Sequence, residues 1–355
     1  MTPRPDPGFW RGRRVLVTGH TGFKGTWARL WLAGMGAEVH GLSLPPDSEP
    51  ALHALVGPQG LAGEHLADIR DAAAVARAVR AADPQIVLHM AAQALVRRGH
   101  AAPGDTFDVN VTGTVRLLEA LRDVARLQAV LVVTTDKVYR NDESGRPFSE
   151  DDPLGGLDPY SASKAACELA TAALAAGAFA PRGVPVATAR GGNVIGGGDF
   201  ASDRLVPDIV RAADAGLPPS IRNPAATRPW QHVLDCLAGY FRYLEALAGD
   251  AAAPAALNFG PPADERQRAV REVAEAMLVA LGRDPHWHGG TAADAPREMA
   301  ALALDPALAA ATLGWRARLD QTEAIAWTAR WYDGWRRGAD PAELTRAQIA
   351  RFTEA

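Results

Sequence analysis

Short apolar runs alternate with longer segments of helical period through the first half of the chain. Val15-Leu16-Val17-Thr18 is almost wholly apolar, as a strand buried on both faces of a parallel sheet must be. Residues 38–42, Ile86-Val87-Leu88-His89-Met90, 129–134 and 184–190 repeat that character. Between them, 23–35, 71–82, 106–126 and 160–176 read as helices, the second stopped by Asp83-Pro84 because the residue before a proline is pushed out of the helical region. This alternation predicts the α/β class: a Rossmann-type doubly wound parallel sheet with crossover helices. Gly191-Gly192-Asn193-Val194-Ile195-Gly196-Gly197-Gly198 interrupts the pattern, which then turns mixed and proline-rich. The expected division is a sheet domain of 8–190 with 229–260, a smaller mixed α/β lobe of 191–228 with 261–340, and a tail, 341–355, that is either a surface helix or frayed.

Composition narrows the class. The 355 residues, 48% hydrophobic and 22% charged, suffice for one large domain and a smaller one. A net charge of -4 argues against a nucleic-acid partner. Cys167 and Cys236, the only cysteines, form neither a disulfide framework nor a metal-ligand spacing, which suits a reducing compartment. Residues 1–14 lack the apolar core of a secretory signal, and no uncharged apolar run reaches the ~18 residues of a membrane span. The expectation is a cytoplasmic protein with no membrane partner and no metal. Trp327, Trp331 and Trp335 form a stripe of helical spacing that reads as packed core.

Candidate chemistry begins after the first strand. Gly19-His20-Thr21-Gly22-Phe23-Lys24-Gly25 joins a strand to a helix, the setting a dinucleotide requires. Glycines permit the tight turn and close backbone approach, and the helix N-terminus offers unpaired N–H groups to a pyrophosphate. Asp68-Ile69 suits an adenine edge, and Ala91-Ala92-Gln93 after the fourth strand would carry the cofactor across the sheet's carboxyl edge. NAD is the expected cofactor, yet the second strand ends Leu42-Ser43-Leu44 with no carboxylate before Asp47, and Lys24 and His20 can tolerate a 2′-phosphate, so NADP stays open.

Tyr160 and Lys164 lie four apart and share a face if their segment is helical. A free phenol, with a pKa near ~10, is no base at neutral pH. Bringing it to about 7 takes roughly 4 kcal/mol, the interaction of one cation at ~4 Å under an effective dielectric of ~20. Lys164 can supply that cation and an oxidised nicotinamide a second.

These motifs, with Asn110 and Arg228-Pro229-Trp230-Gln231-His232-Val233, occur in the order found in a known family. The chain resembles the extended short-chain dehydrogenase/reductases that act on nucleotide sugars, over almost its whole length. The glycine segment, Thr135-Asp136-Lys137-Val138-Tyr139, Asn193-Val194-Ile195-Gly196-Gly197-Gly198-Asp199 and Ile221-Arg222-Asn223-Pro224 are most similar to the branch that dehydrates CDP-glucose. The resemblance implies a redox-neutral reaction. C-4 of the sugar is oxidised by bound NAD, water leaves across C-5 and C-6, and the hydride returns to C-6, giving a precursor of surface-polysaccharide deoxysugars.

In that scheme Tyr160 takes the 4-hydroxyl proton, Lys164 lowers the tyrosine's pKa, and Thr135 hydrogen-bonds the 4-oxygen. Asp136 is the acid for the departing hydroxyl, which requires it to hold a proton. Lys137 is the C-5 base or, if charged, a stabiliser of the C-5 enolate; neutralising an ordinary lysine at pH 7 costs about 4.6 kcal/mol. Asn110 supports a helix kink near the lysine, Gln93 touches cofactor and substrate, and Asn193, Arg204, Arg222 and Arg228 bind the sugar diphosphate. Two departures fall near the sugar: Gly99-His100, where relatives tend to have Ser and Tyr, and Ala300-Ala301 after Pro296-Arg297-Glu298. The resemblance also implies a homodimer through 106–126 and 160–176. A dehydratase or 4-epimerase of another nucleotide sugar, and a catalytically silent nucleotide-binding scaffold, remain as alternatives.

Overall fold

The computed structural model describes residues 3–249, 253–262, 264–289 and 299–354. Seven parallel strands form the central sheet. β1 (Arg14–Thr18), β2 (Glu38–Ser43), β3 (Gly63–Leu66), β4 (Ile86–His89), β5 (Ala129–Val133) and β6 (Val186–Gly191) are joined by Ala256–Phe259, in the spatial order β3-β2-β1-β4-β5-β6 and then Ala256–Phe259. All pairs are parallel, with Val15 opposite both Val39 and Ile86. β4 and β5 are buried at every residue, which accounts for their unbroken apolar runs. The order reverses between β1 and β4, so the loops after these two strands part there and leave a crevice at the sheet's carboxyl edge.

The helix Pro159–Leu174 starts cleanly: Asp158 accepts from the Ser161 amide, and Pro159 occupies the first turn, where its missing N–H costs nothing. The expected helix over 106–126 is instead three pieces, Pro103–Phe107, a π-helical turn Asp108–Thr112, and Gly113–Leu121. The extra residue in the π turn points Asn110 inward. Its amide bonds both main-chain groups of Gln93 (2.8 and 3.1 Å) and Ser163 Oγ (2.8 Å). Residues far away in sequence, not local propensity, set this irregularity.

The later chain closes over the same core. Helix Val233–Gly249 and strand Ala256–Phe259 return to the sheet, while Leu205–Asp214 and Val270–Ala280 belong to the part that leaves it. Gln321–Arg336 begins with a capping box between Asp320 and Glu323 and buries Trp327 and Trp331. Trp331 packs so closely on Gly197 that a Cβ there would lie 1.9 Å from the ring. The tail is a docked helix, Pro341–Glu354, with Ala342, Thr345 and Phe352 buried; Thr345 Oγ1 accepts from Trp331 Nε1 at 3.1 Å. No helix among the described residues is long and apolar enough to cross a membrane.

Candidate active site

Three glycines shape the crevice at the switch point. Gly19 has φ +73°, and a Cβ on it would stand 2.8 Å from the Ala91 amide, so only glycine lets the β1 and β4 loops touch. A Cβ on Gly25 would stand 2.1 Å from the Gly19 carbonyl. Gly22 caps the helix Phe23–Gly34 without any side-chain bond, so the first amides of that helix have no side-chain cap. The cradle is stiffened by Thr26, whose hydroxyl donates to Gly22 and His20 carbonyls, and by Thr21, bonded to Leu44 O and Ser43 Oγ. Bare amides, close backbone approach and a helix start fit a pyrophosphate.

The side chains of this loop depart from expectation. His20 is fully buried, its Nε2 2.8 Å from Glu64 Oε1 and its ring against Gly41, so it offers the crevice only backbone. Glu64 also meets His53 Nε2 at 3.4 Å. Burial holds His20 below the usual imidazole range, with Glu64 opposing. Lys24 points away from the β2 end, into the cavity shared by Asp136, Tyr160 and Lys164. Neither is placed for a 2′-phosphate. Ala91 N donates to Thr18 Oγ1 at 3.1 Å, and Ala92 lines the cavity. Asp68 is held by Arg70, through contacts of 2.6 to 3.1 Å that lower its pKa, and Ile69 is buried beneath Gly113.

Beside the cradle lies a cavity of about 750 Å³. Thr135, Asp136 and Lys137, just after β5, line one wall, with Tyr160 and Lys164 of Pro159–Leu174 beside them. Asp136 is 1% exposed. Its Oδ1 accepts from Thr135 Oγ1 (2.9 Å) and Lys137 Nζ (3.5 Å), while Oδ2 has no protein partner. A buried carboxylate oxygen left bare in a cavity wall is suited to a ligand hydroxyl.

Tyr160 corrects the sequence-based electrostatics. Burial pushes its phenol up to about 12; the Thr135 hydroxyl and Arg204 pull it down, and Asp136 and Asp158 push it up. Lys164 instead donates to Val133 O at 3.0 Å, its own pKa lowered by burial. Burial therefore outweighs the groups that would lower this phenol, and Lys164 is not among the chief influences on it.

Other expected ligands divide. Asn193, Arg204, Arg222 and Arg228 line the cavity. Gln93 does not: its amide accepts from Leu95 N (2.6 Å) and donates to Thr106 Oγ1 (2.9 Å), so it braces the β4 loop. Asn110, spent on Gln93 and Ser163, likewise positions the helix that carries Lys164 rather than meeting a ligand. Gly99 is close-packed, since a Cβ would come 3.2 Å from Tyr160 N, whereas His100 lines the cavity. Ala300 and Ala301 offer main-chain groups to Glu143 and Asn141; Pro296-Arg297-Glu298 lies outside the described residues.

One buried network escaped the sequence reading. Arg190 forks onto Glu168 and bonds Tyr139 Oη (2.8 Å), which donates to Asn258 Oδ1 (2.6 Å), while Thr134 Oγ1 donates to Glu168 (2.6 Å). It locks both flanks of 135–137 from beneath. Glu168 lies one helical turn beyond Lys164, the one local sign of it.

Sheet order, glycine cradle and Tyr/Lys pair together define an extended short-chain dehydrogenase/reductase. The chain belongs to the GDP-mannose 4,6 dehydratase family, whose model matches residues 16–328. It is 41% identical to the CDP-glucose 4,6-dehydratase of Salmonella typhimurium, over 99% of each chain. It is 30% identical to a dTDP-glucose 4,6-dehydratase of Xanthomonas campestris, covering 89% of this chain and 92% of that one. Among solved structures, a UDP-glucose-4-epimerase of Stenotrophomonas maltophila with bound NAD is similar at TM-score 0.79 and 26% identity, covering 92% of this chain and all of that one. The dTDP-glucose 4,6-dehydratase of Streptomyces venezuelae with NAD is similar at TM-score 0.76 and 28% identity, covering 93% and 99%.

Proposed function

We propose that the chain is an NAD-dependent CDP-glucose 4,6-dehydratase, converting CDP-glucose to CDP-4-keto-6-deoxyglucose and water. The observation that carries this is the Asp136–Lys137 pair behind Thr135, with the bare Asp136 Oδ2 in the cavity wall. Elimination needs an acid and a base beyond Tyr160, and 4-epimerisation does not. The near full-length 41% identity points to the same substrate.

Bound NAD supplies the acceptor for the C-4 hydride and the donor that returns it to C-6. The chain's residues do the rest. Tyr160 removes the 4-hydroxyl proton, and Thr135 hydrogen-bonds the 4-oxygen as it becomes a ketone. Lys137 removes the C-5 proton, now acidified by that ketone, and gives it back to C-5 once the hydride has reached C-6. Asp136 gives a proton to the departing C-6 hydroxyl, releasing water. Lys164 holds the nicotinamide ribose, and the backbone of Gly19, Gly22 and Gly25 the pyrophosphate. Arg204, Arg222, Arg228 and Asn193 hold the sugar diphosphate between the two proposed lobes. The homodimer expected through 106–126 and 160–176 would cover the exposed Leu169 and Phe107. The reducing-compartment composition supports a cytoplasmic location.

Incubation with CDP-glucose and NAD, followed by alkali, tests the reading. The expected 4-keto-6-deoxy product develops an ultraviolet chromophore. An epimerised sugar without the chromophore, or turnover confined to dTDP-, UDP- or GDP-glucose, would overturn it.

A further inference from the structure

An ion cluster in the cavity lining contains Arg97 and Asp203, which have no part in the scheme above. Arg97 lies in the helix Val96–Ala101 that follows the β4 loop, on the dinucleotide side. Arg222 lies just beyond the short strand Ser220–Ile221, on the other side. Both donate from Nη1 to one oxygen, Asp203 Oδ1, at 2.9 Å each, and Arg222 Nη2 reaches the Asp203 carbonyl at 3.2 Å. Asp203 sits at φ +60°, a left-handed conformation uncommon outside glycine, which holds its carboxylate between the two guanidinium groups. Next to it, Arg204 meets Asp199 at 3.5 Å. All five residues line the cavity.

Two fixed cations converge on one carboxylate oxygen, an arrangement with one positive charge in excess. The pairs are also weak. The side chains of Arg97, Asp203 and Arg222 are 53%, 35% and 34% exposed, and exposed ion pairs are worth about 0–1 kcal/mol. A diphosphate brings more charge and more acceptor oxygens to the same point than a carboxylate, and guanidinium forks match phosphate well.

We infer that Asp203 occupies the place of the substrate's diphosphate, and that Arg97 is a diphosphate-binding residue acting from the side of the cleft opposite Arg222. This rests on the nucleotide-sugar reading of the cavity and adds a residue to it. On binding, the diphosphate takes both guanidinium groups, Asp203 swings out to solvent, and the two sides become joined through substrate. No covalent step is involved.

Calorimetric titration with CDP and CMP tests this on the full chain with NAD present, alongside steady-state kinetics with CDP-glucose. Arg97→Gln should weaken CDP between about tenfold and a hundredfold, the usual worth of a charge-assisted bond, and leave CMP within twofold. It should raise KM in the same proportion with kcat little changed. Asp203→Asn, by removing the competitor, should tighten CDP severalfold. That gain should shrink in the double variant, because Arg97 is then missing. Equal losses for CDP and CMP, or Asp203→Asn weakening CDP as Arg97→Gln does, would overturn the assignment. If wild type binds CDP but does not turn over CDP-glucose, the functional reading fails while the clamp survives.

Discussion

Tyr160 is one of five tyrosines, and burial lifts all of them above the ordinary phenol range. The coenzyme-free protein should therefore show no phenolate absorbance at mildly alkaline pH, where a free tyrosine already titrates. Saturating NAD brings a cation to the cavity, favours the charged form, and so should move one group's titration to lower pH. Difference spectra should gain one phenolate, and Tyr160→Phe should abolish the gain; two phenolates, or none, would mean that the coenzyme does not act on this residue. In the proposed scheme Lys137 acts in the later half of the reaction. Lys137→Met should keep C-4 oxidation, seen as reduced coenzyme in a single turnover, and lose product formation by about 10²- to 10⁴-fold. Unchanged product formation would exclude Lys137 both as the proposed C-5 base and as the enolate stabiliser expected from sequence. That Thr135, Asp136, Lys137, Tyr160 and Lys164 share one cavity wall was legible, because short spacings on a strand end and a helix face leave few other placements. The Arg190–Glu168–Tyr139–Asn258 network was not, because its partners come together only after the sheet forms. The side chains of His20 and Gln93 were misplaced for a related reason: a motif fixes a backbone path, not the direction each side chain takes.

The helix Phe23–Gly34 contains two glycines with opposite duties. A methyl on Gly25 meets the Gly19 carbonyl at 2.1 Å, a backbone atom that cannot move without opening the cradle, whereas one on Gly34 meets nothing within 4 Å. Gly25→Ala should cost about 1–3 kcal/mol of stability and most NAD affinity. Gly34→Ala should add about 0.5 kcal/mol and leave NAD binding alone. Thermal melts with and without NAD check both; equal behaviour of the two variants would refute the cradle's packing argument. β1, β2, β4, β5 and β6 were readable from their apolar runs, since a strand covered on both faces has little choice of residue. The half-exposed β3 and the spatial order of the strands were not. The π turn at Asp108–Thr112 was not, because Asn110 draws it inward toward Gln93 and Ser163, neither of which is a helical neighbour.

At the scale of the whole molecule, the division into a sheet domain and a smaller lobe is a proposal about function more than about stability. One apolar cluster runs from Val15 and Leu131 of the sheet through Phe241 to Ile209, Met277 and Trp331, so the two parts share a core. Two fully buried histidines, His89 and His232, are held furthest below the ordinary imidazole range among the described residues. His89 bridges Thr18 (2.6 Å) and Thr114 (2.9 Å) beneath the β1 and β4 loops. His232 is wedged between Trp27 and Trp327, and its Nε2 has no partner. Burial lowers both to about 3 from an ordinary 6.5, with Lys164 near His89 and Arg330 near His232 adding repulsion. A lowered folded-state pKa means that the unfolded chain takes up protons first. This stability is therefore whole above pH 6.5 and drains as the pH falls toward 3. Each group contributes a slope of about 1.4 kcal/mol per pH unit inside that window. Melting temperature should thus fall steeply below about pH 6, in one transition because the core is shared. His232→Phe fills the same aromatic slot without a titrating group, so it should remove that one group's share of the slope, about 1.4 kcal/mol per pH unit. If the acid branch of the variant runs parallel to that of the wild type, His232 is not held neutral by its burial, and the loss must come from carboxylates instead.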